Sequence, residues 1–216
     1  MGALTIQSIS NAELLKILDN DTHETHYGCN QEWFPTKWQR LSGCGPSVAT
    51  NIIYYLSQIQ NIFGVKQGSN NKNDFVELME EVWKYVTPTL KGIHTTKMFY
   101  ESVLSYAASK GVQVGYQHID VPKQKSKRPE LSGILKFLKE ALLKDSPIAF
   151  LNLCNGHENN LDKWHWVTIV SIEYNEVESS LFADVLDEGL IKKVDLALWY
   201  NTTKQGGGFV YFTCER

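Results

Sequence analysis

The feature that most constrains the fold of this chain is a change in the period of its apolar residues near Pro147. Before that point they recur at helical spacing: Phe75, Leu78, Met79, Val82 and Val86 form one stripe, Phe99, Val103 and Tyr106 a second, and Leu131, Leu135, Leu138, Ala141 and Leu142 a third. After it, Ile148 to Leu153, Trp164 to Ile172, Leu181 to Leu186, Ile191 to Leu196 and Phe209 to Thr213 read as strands separated by polar or glycine turns. Helices first and strands second argue against a βαβ repeat and for an α+β fold, with N-terminal helices packed on a C-terminal antiparallel β-sheet. The 216 residues, 43% of them hydrophobic, suit one domain over 1–216, with a helical lobe at about 1–145 and a sheet lobe at about 146–216.

Local signals fill in the first part. Ser10-Asn11-Ala12-Glu13 reads as a capping box opening a short helix with Leu14, Ile17 and Leu18 on one face. Thr22 to Pro35 is a polar, then aromatic loop. Asp74 with Glu77 is expected to cap the first of the three striped helices, and the second begins near Thr95 or Thr96 and stops at Gly111. Val112, Val114 and Tyr116 alternate as in a half-buried strand. The basic run from Lys123 to Arg128 is flanked by prolines and lacks aromatics, so it reads as a solvated loop.

Composition narrows the function. With 21 Lys plus Arg against 24 Asp plus Glu and a net charge of -3, no basic field points to nucleic acid or an anionic membrane. The N-terminus lacks the basic start and apolar run of a signal peptide, and no apolar run reaches transmembrane length, so a soluble, cytoplasmic protein is expected. Cys29, Cys44, Cys154 and Cys214 are irregularly spaced and contain no Cys-x-x-Cys pair; they read as free thiols. His23 and His26 are three apart and do not match the zinc-peptidase pattern. No cofactor and no metal is expected.

The chemistry centres on Gly43-Cys44-Gly45-Pro46. Pro46 fits a first helical turn, and Ala49, Ile52, Ile53 and Leu56 give the helix behind it one buried face. A cysteine at a helix start is biased toward the thiolate by unpaired N–H groups and the helix dipole. The flanking glycines are expected to let a substrate backbone come close. Taken alone, Cys44 reads more readily as a small buried hydrophobe than as a nucleophile, and its partners elsewhere decide.

Its partners lie downstream. His165 sits in the apolar strand Trp164-His165-Trp166-Val167, sharing a face with Val167 and Ile169, where it is either a catalytic base or a core histidine. Trp164 and Trp166 would shield an ion pair from water. Asp187, at the end of the next strand, is placed to orient that base, accepting the Nδ1 hydrogen and leaving Nε2 for Cys44; Asp184 is the alternative acid. Gln31 or Gln39 can supply a side-chain oxyanion donor beside the Cys44 N–H, and the aromatic neighbours of Gln31 favour it. Cys44 is expected to be the most reactive of the four thiols.

An upstream Gln, Gly43-Cys44-Gly45-Pro46 opening a helix, Trp164-His165-Trp166-Val167 opening a strand, and an acid one strand later resemble the papain-like cysteine peptidases, most closely the soluble relatives of the bacteriocin-processing peptidases. The resemblance spans about Tyr27 to Leu196. It implies a papain-like cysteine peptidase fold and a Cys-His-Asp hydrolase working through an acyl-enzyme, with Cys44 as nucleophile, His165 as base, Asp187 as its orienting acid and Gln31 at the oxyanion. The implied partner is a peptide or small amide substrate. An acyl or amide transferase on the same scaffold and a catalytically silent peptide-binding module are the alternatives.

Overall fold

The structure, a computed structural model, describes residues 4–214. Its first strands are β1 (Thr5–Ser8), β2 (Lys16–Leu18) and β3 (Thr25–Tyr27), followed by helices α1 (Lys37–Ser42), α2 (Cys44–Gln60), α3 (Lys72–Trp83) and α4 (Thr96–Ser109). Strand β4 (Gly115–Val121) and helix α5 (Leu131–Leu143) lead into β5 (Ile148–Asn152), β6 (His165–Asn175), β7 (Ser180–Asp187) and β8 (Leu190–Asp195). Helix α6 (Leu196–Thr202) and β9 (Gly207–Thr213) complete the chain. The main sheet is antiparallel in the order β4-β9-β5-β6-β7-β8, with β1 paired to the far half of β6; β2 and β3 form a separate ribbon.

The mixture of helices and antiparallel sheet is the expected one, but the segregation at residue 145 is incomplete, because β1 and β4 come from the first part and join the main sheet. The helix expected after Ser10 is absent. The Ser10 hydroxyl and N–H both bond the Asp145 carboxylate at 2.6 Å instead of capping, leaving a single 3-10 turn (Ala12–Leu15) before Ile17 enters the β2–β3 ribbon. Asn71, rather than Asp74, caps α3 by accepting from the Asp74 N–H. Strand β4 starts at Gly115, later than the alternation of Val112 and Val114 suggests. Thr95 caps α4 and Gly111 follows it at φ +68°, both as expected.

Helix α2 differs most from its expected half-burial. Every residue from Gly45 to Ser57 is buried, so the helix is enclosed by sheet and neighbouring helices. Polar side chains in such a position are mostly satisfied internally, Ser47 Oγ being the exception without a partner. Thr50 donates to the Pro46 carbonyl and Ser57 to that of Ile53, four residues back in each case. Asn51 reaches further: its Oδ1 accepts from the Cys29 N–H at 2.8 Å and its Nδ2 donates to Thr168 Oγ1 at 3.0 Å. One amide thus ties the loop before Gln31, helix α2 and strand β6 together. Gly28 lets that loop pass, since it adopts φ +75° and a Cβ there would lie 2.9 Å from Asn51 Nδ2.

Replacing Asn51 with Ala leaves a buried N–H and a buried hydroxyl without partners. At about 1–3 kcal/mol for each group so stranded, Asn51→Ala is expected to destabilise the fold by roughly 2–4 kcal/mol in urea denaturation. A loss below about 0.5 kcal/mol would contradict this role.

Candidate active site

Cys44 is the first residue of α2, with Gly43 as the N-cap, and is half-buried. The glycines beside it serve the protein's own packing, which corrects the expectation that they make room for substrate. A Cβ on Gly43 would fall 2.7 Å from the Phe34 ring and 2.6 Å from the Gln39 carbonyl oxygen, and one on Gly45 would fall 2.9 Å from Ile93 Cδ1. They let the loop carrying Phe34 and the segment carrying Ile93 close around the helix start.

His165 opens β6 and Asp187 closes β7, and the antiparallel pairing of these strands brings the start of one beside the end of the other. The preceding residue, Trp164, adopts the left-handed region at φ +57°, a costly conformation for a bulky side chain, at the turn into the strand. His165 Nε2 lies 2.6 Å from Asp187 Oδ1, with the two residues only 8% and 4% exposed. The ring is therefore reversed from the expected orientation. Nε2 meets the carboxylate, and Nδ1 is the nitrogen left for Cys44, which lies near enough to act on the same imidazole. Asp184 pairs across from Ser171, away from the strand end, and does not reach the ring.

Gln31 begins a 3-10 turn (Gln31–Trp33) capped by Asn30, whose Oδ1 accepts from the Glu32 N–H and whose Nδ2 donates to the Glu188 carbonyl at 2.9 Å. That second bond anchors the turn beside Asp187, and Gln31 lines one cavity with Cys44, Ser47, His165 and Asp187. Gln39 is engaged elsewhere, its carboxamide oxygen accepting from the Thr36 N–H and hydroxyl in the capping box of α1. The two tryptophans divide their work. Trp166 is buried, donates to the Ile93 carbonyl and stacks on Phe99, whereas Trp164 lies exposed beside the site.

Burial alone would favour a neutral His165 ring. The bond to Asp187 and the hydrogen bond and charge of Cys44 outweigh it and hold the imidazole pKa up to about 10. Burial works against the Asp187 carboxylate too, yet its bond to His165, with the nearby charges of His165 and Lys192, keeps its pKa below the usual range. The arrangement favours an imidazolium between a carboxylate and a sulfur. The other three thiols differ from each other. Burial pushes Cys29 up, and Cys214 to about 11, whereas backbone N–H groups of Lys204, Gly156 and Gln205 and the charge of Lys163 bring Cys154 below its ordinary value against some burial.

Cys154, with its lowered thiol pKa, is expected to compete with Cys44 for an alkylating reagent. Iodoacetamide labelling near pH 6 with peptide mapping is expected to mark Cys44 and Cys154 and to spare Cys29 and Cys214. His165→Ala should suppress labelling of Cys44 by about 10-fold or more and leave Cys154 unchanged, since a bond to a charged group is worth about 1.5–3 kcal/mol. Equal suppression at both, or at neither, would contradict the pairing of Cys44 with His165.

No protein-family model matches the chain, and no curated protein is similar to it in sequence. Among solved structures, the chain is similar to UfSP from C. elegans, with a TM-score of 0.54 and 10% sequence identity. The match covers 98% of this chain and 34% of that one, so the chain spans about a third of the length of UfSP. At this identity the likeness is one of fold: the mixed architecture of helices on an antiparallel sheet is shared.

Proposed function

We propose that the protein is a papain-like cysteine hydrolase that cleaves peptide or other amide bonds through an acyl-enzyme. The observation that carries this reading is the 2.6 Å bond between His165 Nε2 and Asp187 Oδ1 beside a cysteine at the start of a buried helix. A core histidine needs a partner but has no need of a half-exposed thiol on its other nitrogen. The likeness in fold to UfSP, a cysteine protease, points the same way. The narrower likeness to bacteriocin-processing peptidases rests on the sequence around Cys44 and His165.

The chemistry follows from the geometry. With the proton held on His165, the Cys44 sulfur attacks the substrate carbonyl carbon. The oxyanion is met by the Cys44 N–H, which as a first-turn group has no acceptor within the helix, and by the Gln31 carboxamide. His165 gives its Nδ1 proton to the leaving amine as the C–N bond breaks, and a thioester remains on Cys44. Water, losing a proton to the same nitrogen, attacks the thioester and releases the acid and the thiolate. Asp187 holds the ring throughout.

A groove of about 380 Å³ opens beside Cys44, with neither His165 nor Asp187 in its lining. Trp38, Leu41, Leu90, Ile93 and Trp164 line it, and Lys91 and His94 are its charged or titratable groups. Leu41 and Leu90, 71% and 93% exposed, join the exposed Trp38 and Trp164 in one apolar patch. The acyl portion of the substrate lies here, presenting a bulky apolar side chain.

Removing one oxyanion donor typically costs about 10²–10³ in turnover. On a fluorogenic peptide amide with leucine on the acyl side, Gln31→Ala is expected to lose that much, while Gln39→Ala stays within about 3-fold of wild type. The reverse ranking would move the oxyanion donor to Gln39, and wild-type inactivity on a panel of apolar, acidic and basic peptides would count against the hydrolase reading.

A further inference from the structure

The second oxygen of Asp187 is as closely engaged as the first. Lys192 Nζ lies 2.7 Å from Asp187 Oδ2, while Oδ1 faces His165. Lys192 sits on β8 opposite Val185, two residues from Asp187 along β7, so the contact is a diagonal one between neighbouring strands. Its stem is largely covered, and its ammonium also approaches Glu188 at 3.8 Å. The carboxylates of Asp162, Asp187 and Glu188 come within 4.8 Å of one another, and the Lys192 ammonium stands among them as their cation.

We infer that Lys192 is a positioning residue for the proposed reaction, fixing the Asp187 carboxylate and setting the pH range over which the Cys44–His165 pair is formed. This inference rests on the catalytic reading of Cys44 and His165. A carboxylate anchored through one oxygen can turn about its χ2 bond; one bonded through both oxygens to two strands cannot do so without losing a partner. Because Asp187 is buried, neither bond is readily replaced by water. The two partners also differ in kind. His165 titrates, whereas Lys192 holds a standing charge: burial opposes it, but the bond and charge of Asp187, then Glu188 and Asp162, keep its pKa above the ordinary range.

That standing charge disfavours a second proton nearby. Of the groups around Asp187, His165 on β6 and Cys44 on α2 titrate in the reaction. Glu188 on the following turn and Asp162 on the loop before β6 are anionic, and His26 of β3 packs against Gly189 with Glu24 as its ion-pair partner. With Lys192 neutralised, the carboxylates act on His165 uncompensated. The imidazolium is then held more tightly, so the His165 pKa rises, and negative charge on the neighbouring sulfur is less favoured. A base held too high returns its proton slowly, which is the poise that Lys192 protects.

The test is the rate of Cys44 alkylation by chloroacetamide against pH in Lys192→Gln, Lys192→Met and Lys192→Arg, followed by mass spectrometry of the Cys44 peptide. The neutral variants are expected to move both limbs of the profile to higher pH by about one unit, from a Coulomb interaction at an effective dielectric near 20. Lys192→Arg is expected to restore the wild-type limbs. A purely structural role would lower the amplitude or the melting temperature and leave the limbs in place, and that result would overturn the inference. NMR titration of the His165 ring in the same variants separates the two claims. If wild-type Cys44 shows no pH-dependent activation the catalytic reading fails, while an upward shift of the His165 titration in Lys192→Gln still supports the electrostatic role, and an unmoved titration rejects it.

Discussion

The structure depends on the enclosure of α2. A helix buried from Gly45 to Ser57 exchanges solvent for packing on every side, and its first residue is held as rigidly as its core. The same enclosure favours internal partners for its polar side chains, and although Ser47 Oγ has none, Asn51 joins three segments that carry or flank the site: the loop leading to Gln31, the helix of Cys44 and the strand of His165. The glycines at 43 and 45 extend the principle to the helix start, where Phe34 and Ile93 fill the space a side chain would take.

Around this fixed point the sheet contributes strand ends rather than strand faces. β6 begins and β7 ends at the same end of the sheet, so His165 and Asp187 meet there, while the irregularity between Ile169 and Ser171 lies further along. Trp164, in a left-handed conformation, marks the turn from loop into strand. The surroundings of Cys44 then differ sharply: around Asp187 lie carboxylates with Lys192 among them, while a largely apolar groove that Asp187 does not line opens beside Cys44. Asymmetry of this kind suits an acyl group on one side and proton transfer on the other.

The architecture was legible where hydrophobic periodicity was strong. The five C-terminal strands and helices α3, α4 and α5 follow from their stripes, because burial of one face leaves its period in the sequence. Elements held by tertiary contacts were not legible. β1 has four residues, mostly exposed, and owes its strand geometry to pairing with β6. Ser10 reads as a cap because nothing local reveals that Asp145 will claim it. α1 carries a Thr36–Gln39 capping box that could have been found, but its apolar residues, Trp38 and Leu41, face outward and give no buried stripe. At the site, the residues that meet were readable from motif and strand order. The ring orientation of His165 was not, nor were Asn51 and Lys192, since each depends on which side chains a distant strand or loop brings within reach.

The central claim is that Cys44 becomes acylated by its substrate, and intact-protein mass spectrometry after brief mixing with an activated acyl ester tests it most directly. The account predicts a single acyl adduct that maps to Cys44, is removed by neutral hydroxylamine as a thioester should be, and fails to form in His165→Ala. An adduct confined to Cys154, or one on Cys44 that forms equally well without His165, would contradict it.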